Sequence, residues 1–190
     1  MDGPTGPDMK DLTMTRYHPA LITLHWLLAA MIMLALFMGG IFLSGMPNDD
    51  PSKVFGLRGH MTFGIAILAL MLVRLVVRLS SKKPPRADAG NPLLNSISVL
   101  VHWALYISVI AMALSGLALA IAAGLPAIVF GGSGDPLPVD FLIYPPRMVH
   151  GLLANVLVVL IIAHIAGFLY HQFIRRDGLF RRMWFGDRSV

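Results

Sequence analysis

The residues of this chain whose spacing could do chemistry are its seven histidines: His18, His25, His60, His102, His150, His164 and His171. His150 and His164 are fourteen residues apart. On an α-helix that is nearly four full turns, so the two imidazoles share one face about 21 Å apart. The same step leads from His25 to Gly39, from His60 to Arg74 and from His102 to Gly116. If the segments carrying them alternate in direction, one level collects His25, Arg74, His102 and His164, and the other collects Gly39, His60, Gly116 and His150. Two stacked sites for flat, metal-centred groups would be built this way. Imidazoles supply the ligands, glycines leave room for a planar ring or let helices pack closely, and a buried arginine pairs with acidic substituents.

The composition narrows the group. The chain has no cysteine and no glutamate, which excludes disulfides, iron-sulfur ligation, zinc-thiolate sites and covalent c-type haem. Zinc would need further ligands that the apolar segments do not offer. Facing imidazoles suit haem iron, and without cysteine the haem is non-covalent, hence b-type; an iron with both axial positions filled passes electrons and does not bind oxygen. The far level offers His60 and His150. The spacing leaves open which two of His25, His102 and His164 ligate at the other level.

The elements that must position these residues are membrane helices. Hydrophobic residues make up 56% of the chain, charged residues 13%, and the mean hydropathy is +0.73; a soluble domain carries about 25% charge. An all-α integral membrane protein is expected, a bundle of four transmembrane helices running up and down. About 20 apolar residues span a bilayer, and four runs qualify: Leu21 to Leu43, Leu57 to Leu79, Ile97 to Ala123 and Met148 to Ile174. The first run is too long for a cleaved signal peptide. Residues 1–16 read as a disordered tail, 17–176 as the membrane domain, and 177–190 as an interfacial tail in which Leu179 to Phe185 could anchor at the lipid surface. Gly131 to Pro138 reads as loop.

Of the 15 basic residues, twelve lie in the tails and around the middle loop, including Lys10, Arg16, Arg78 and Arg188. Lys53, Arg58 and Arg147 lie on the other side. The positive-inside rule then puts both termini in the cytoplasm of a bacterial inner membrane. The basic tail reports topology and contact with anionic lipid, not nucleic-acid binding. An ion transporter is not expected, since no carboxylate lies inside a span.

Several segments resemble the bacterial cytochrome b561 family, related to the b-type membrane subunits of hydrogenases and formate dehydrogenases. They are Ile22-Thr23-Leu24-His25-Trp26-Leu27, His60-Met61-Thr62-Phe63-Gly64, the run Met71 to Leu79 with Arg74 and Arg78, His102 with Gly116, and His150-Gly151-Leu152-Leu153-Ala154-Asn155 followed by His164 and His171. The resemblance implies two haem b groups in a four-helix bundle that exchanges electrons with quinone, and in some members a superoxide:quinone oxidoreductase. It also implies that His60 and His150 ligate the outer haem and that His25 and His164 ligate the cytoplasmic one, with His102 as neighbour or alternative ligand.

The expected function is therefore electron transfer across the bilayer to or from ubiquinone or another quinone, with superoxide as a candidate donor. Lys53, Arg58 and Arg147 are candidates to steer that anion, and His171 is the candidate to bond a quinone carbonyl. The alternative expectation is a haem-carrying anchor subunit for a soluble dehydrogenase or hydrogenase partner.

Overall fold

A computed structural model describes residues 15–187, and among them there are helices and loops but no strand. The tail expected over 1–16 lies almost wholly outside the described residues, as do Lys10 and Arg188. Four helices are long and apolar enough to cross a membrane: Pro19–Leu43, Pro51–Ser80, Pro92–Ala122 and Pro145–Arg175. The first consists of α1 (Pro19–Phe37) and a π-helical turn (Met38–Leu43). The second is α2 (Pro51–Ser80) and the third α3 (Pro92–Ala122). Short α4 (Leu125–Val129) precedes α5 (Pro145–Leu169), which a second π-helical turn (Tyr170–Arg175) prolongs. The chain closes with α6 (Leu179–Arg182). The four long helices form the expected up-and-down bundle.

Each spanning helix starts before the apolar run that hydropathy marks, and each starts at a proline: Pro19, Pro51, Pro92 and Pro145. Proline suits the first helical position because its fixed φ is helical and its missing N–H would have no partner there. His18, Asp50 and Asn91 cap the first three helices by accepting the N–H of Ala20, Ser52 and Leu93. That use accounts for His18.

Helix α1 packs on α2, α2 on α3, and α3 on α5, whereas α1 with α5 and α2 with α5 make no comparable backbone approach. Midway along the bundle Leu28, Ile67, Met71, Tyr106, Val109 and Leu157 form a buried core. Large side chains such as Ile41, Ile107, Ile121 and Val159 point outward, as lipid requires.

Both ends are covered. At the end holding both termini, the amide of Tyr17 donates to Arg182 O, Arg16 to the carbonyls of Trp184 and Phe185, Trp26 Nε1 to Met183 O, and Arg182 to Pro85 O. Phe180 and Trp184 stack at 5.1 Å, so residues 179–185 fold back on the bundle next to Trp26 instead of lying apart from it. At the far end Gly131 to Pro138 is loop, as expected, and it follows the short helix α4. Gly124, at φ +66°, turns the chain from α3 into α4, a conformation that glycine adopts without strain. Leu125, Val129 and Leu137 are then buried against Ala120 and Ala123, with Val54, Leu57 and Met61 alongside.

Candidate functional site

The fourteen-residue step places imidazoles together at two levels. At the far level the ring centres of His60 and His150 are 6.1 Å apart and their planes nearly perpendicular, at 82°. At the terminal level His25 and His164 stand 6.1 Å apart at 73°, and His102 lies closer to His164, at 5.1 Å. A metal–imidazole bond is about 2.0 Å and the ring centre lies roughly 1 Å beyond the nitrogen, so two imidazoles on opposite sides of one metal have centres roughly 6 Å apart. His60–His150 and His25–His164 have that separation, and His102–His164 is short of it.

The facing histidines bridge the helix pairs that stand apart, α2 with α5 and α1 with α5. The glycines sit at the pairs that pack closely. A Cβ on Gly39 would lie 3.0 Å from His60 Cε1, and one on Gly116 would lie 3.0 Å from His150 Cε1. Both glycines therefore clear space for an imidazole from the neighbouring helix, on α2 and α5 respectively. The π-helical turn Met38–Leu43 contains Gly39; such turns widen a helix locally and recur at functional sites.

Hydrogen bonds fix the tautomers. His150 Nδ1 lies 3.1 Å from Met112 O and 3.0 Å from Ser115 Oγ. A carbonyl only accepts, so Nδ1 carries the hydrogen and Nε2 keeps the lone pair a metal needs. His102 Nδ1 donates to Ser98 O at 2.6 Å. His60 Nδ1 is buried without a partner.

Among the other expected residues, Arg74 donates to Leu21 O at 2.7 Å at the terminal level. Lys53 is buried and donates to Met46 O and Asn48 Oδ1, while Asn48 Nδ2 donates to the carbonyls of Pro138 and Val139. Arg58 donates twice to Val129 O, at 2.9 and 2.6 Å. Lys53 and Arg58 thus fasten the far cap. Arg147 lies along Gly151 with its Nη1 3.2 Å from where a Cβ would be.

His171 is buried at the terminal end, and its Nδ1 pairs with Asp177 Oδ2 at 2.6 Å. Sequence reasoning named His171 and missed Asp177; the signal was an acid six residues on, just past the span. The other oxygen of Asp177 accepts from Leu179 N. Partial burial pushes the Asp177 carboxyl up, yet the hydrogen bonds from His171 and Leu179 outweigh it and hold the group below the ordinary carboxylate range. A cleft of about 460 Å³ opens beside this pair, lined by Gln172, Arg176, Asp177, Phe180 and Arg181.

Comparison with known proteins adds one family match and three relatives. Residues 16–186 match the sequence profile of prokaryotic cytochrome b561. The chain is 28% identical to a Yersinia pestis protein named probable superoxide oxidase CybB, over 88% of this chain and 95% of that protein. It is 28% identical to cytochrome b561 homolog 2 of Escherichia coli K12, over 90% of this chain and 92% of the relative. Homolog 1 of the same organism is 26% identical, over 90% and 97%.

Proposed function

The chain belongs to the prokaryotic cytochrome b561 family, whose members are haem b-binding electron-transfer proteins of the bacterial inner membrane, and we propose that it holds two haem b groups and carries electrons between superoxide and membrane quinone. His60 and His150 would hold one haem, His25 and His164 the other. The observation that carries this reading is the 6.1 Å separation of imidazole centres at both levels, each across a helix pair that stands apart. When bound, haem b supplies one-electron chemistry.

The protein's own residues orient and insulate. Met112 O and Ser115 Oγ hold His150 in the tautomer that frees Nε2. The core of Leu28, Ile67, Met71, Val109 and Leu157 keeps water out of the space between the levels. Arg74 brings a positive charge to the terminal level. His171, held at Nδ1 by Asp177, presents Nε2 to a quinone oxygen from the cytoplasmic side, the side to which the basic residues assign both termini. Two superoxide ions would each give up one electron and leave as oxygen, and the quinone would take two electrons and two protons. Lys53, Arg58 and Arg147 lend the far end a positive field that favours an anionic donor. The name of the Yersinia pestis relative supports this choice of donor.

Pyridine haemochrome analysis of the purified protein should give two b haems per chain, and zero would overturn the reading. In stopped flow the reduced spectrum should form on adding superoxide and decay on adding a ubiquinone analogue. A protein that responds to neither and co-purifies with a soluble dehydrogenase would be the anchor subunit of a larger complex.

A further inference from the structure

Arg78 and Tyr106 are not used by the function above, and both are unsatisfied in a way that points to a ligand. Tyr106 is 5% exposed, and its buried hydroxyl has the Arg74 guanidinium as its charged neighbour and no partner in good hydrogen-bond geometry; Arg78 Nε is likewise buried and unpartnered. The guanidinium carbons of Arg74 and Arg78 stand 5.7 and 5.3 Å from the centre of the Tyr106 ring, and Arg78 also lies 5.4 Å from that of Trp103. Arg78 is one turn beyond Arg74 on α2, and Tyr106 one turn beyond His102 on α3, so the cluster adjoins the level of His25 and His164.

Two partly buried guanidinium charges at the terminal end of the bundle call for compensation, because an arginine stays ionised in a protein and a charge held away from water is costly unless paired. Among the described residues no Asp or Glu lies within any of the four spanning helices, and the ion pair His171–Asp177 belongs to a different cluster. A carboxylate answers every demand at once. It accepts the paired N–H groups of a guanidinium and has lone pairs left for a phenol.

We propose that Arg74, Arg78 and Tyr106 form a receptor for carboxylates brought into the bundle by a ligand, namely the two carboxylate substituents of the porphyrin held by His25 and His164. The proposal rests on the di-haem reading and adds Arg78 and Tyr106 to it. At the far end Arg58 already donates to Val129 O.

The test uses the full chain in detergent, freed of pigment, in a His60→Ala/His150→Ala background that leaves the terminal site. It is titrated with haem b and, separately, with haem b dimethyl ester, which has the same ring and iron without the carboxylates. Haem b should bind at least roughly tenfold more tightly than the ester, the size of a lost hydrogen bond to a charged group. Arg78→Gln and the isosteric Tyr106→Phe should each shrink that ratio, and Arg78→Lys should restore part of it. The ratio is taken within each variant, so a general loss of stability cancels. Equal binding of the two porphyrins, or a ratio that both variants leave unchanged, would overturn the receptor while leaving the di-haem reading intact. Binding of neither porphyrin would defeat that reading and the receptor with it.

Discussion

At the far level two imidazoles face each other beside glycines, with one ring pinned through Met112 and Ser115, under a cap tied down by Lys53 and Arg58. At the terminal level three imidazoles converge with Arg74 and Arg78, and the cover is the chain's own C-terminal segment. One spacing rule, repeated along four helices, has thus brought two imidazoles together at one level and three, beside two arginines, at the other. Ligand geometry at this depth is set by helix periodicity, whereas the electrostatic character is set by which residues flank the step.

The largest effects should come from removing ligands. His60→Ala with His150→Ala, and separately His25→Ala with His164→Ala, should each cost one of two haems by pyridine haemochrome. His102→Ala should keep both, because its 5.1 Å approach to His164 is too short for two imidazoles on opposite sides of one metal. Loss of a haem on removing His102, with retention on removing His25, would break the assignment of the terminal level.

A smaller effect is expected at Gly116. An alanine there puts a methyl 3.0 Å from His150 Cε1 and displaces the imidazole by a few tenths of an ångström. Haem affinity at the far level should fall about tenfold, in the range of altered ligand support. The terminal level should be unchanged, and a titration of each level in the background lacking the other's ligands separates the two. Equal losses at both levels would mean that they are not independent.

The smallest effect concerns acid. The Asp177 carboxyl titrates below the ordinary range in the folded protein, so what it contributes to docking the C-terminal segment is present above the ordinary carboxylate range. That contribution is lost as the pH falls through the depressed value. Tryptophan emission from Trp26 and Trp184 should shift on acidification below pH of about 4. In Asp177→Asn the shift should be present at neutral pH and insensitive to acid. An acid transition that persists in this variant would assign the change to another group.

Much of this architecture was legible in the residues because lipid permits few solutions: a long uncharged run must be a helix, and a fourteen-residue step must return to the same face. The pairing of His60 with His150 followed from those two facts. The choice of His25 over His102 did not, since it depends on how far apart α1, α3 and α5 stand, and that is settled by packing between distant segments. The helix starts were hidden because Pro51 and Pro92 precede the apolar runs by several residues, and proline reads as a breaker before it reads as a first residue. Gly131 to Pro138 was legible as loop, whereas α4 before it and the burial of Leu137 within it depend on packing against α2 and the end of α3. Asp177 lay in a segment whose basic residues drew attention to the lipid surface.

The clasp between Tyr17 and Arg182 joins the first described turns of the chain to its last. Both levels also take an imidazole from α5, the last of the four spanning helices. With only α1, α2 and α3 in the bilayer, each ligand pair of the two-haem reading would be half made. On that reading pigment would load only once α5 has joined the bundle, and residues 182–185 would then cover the terminal level.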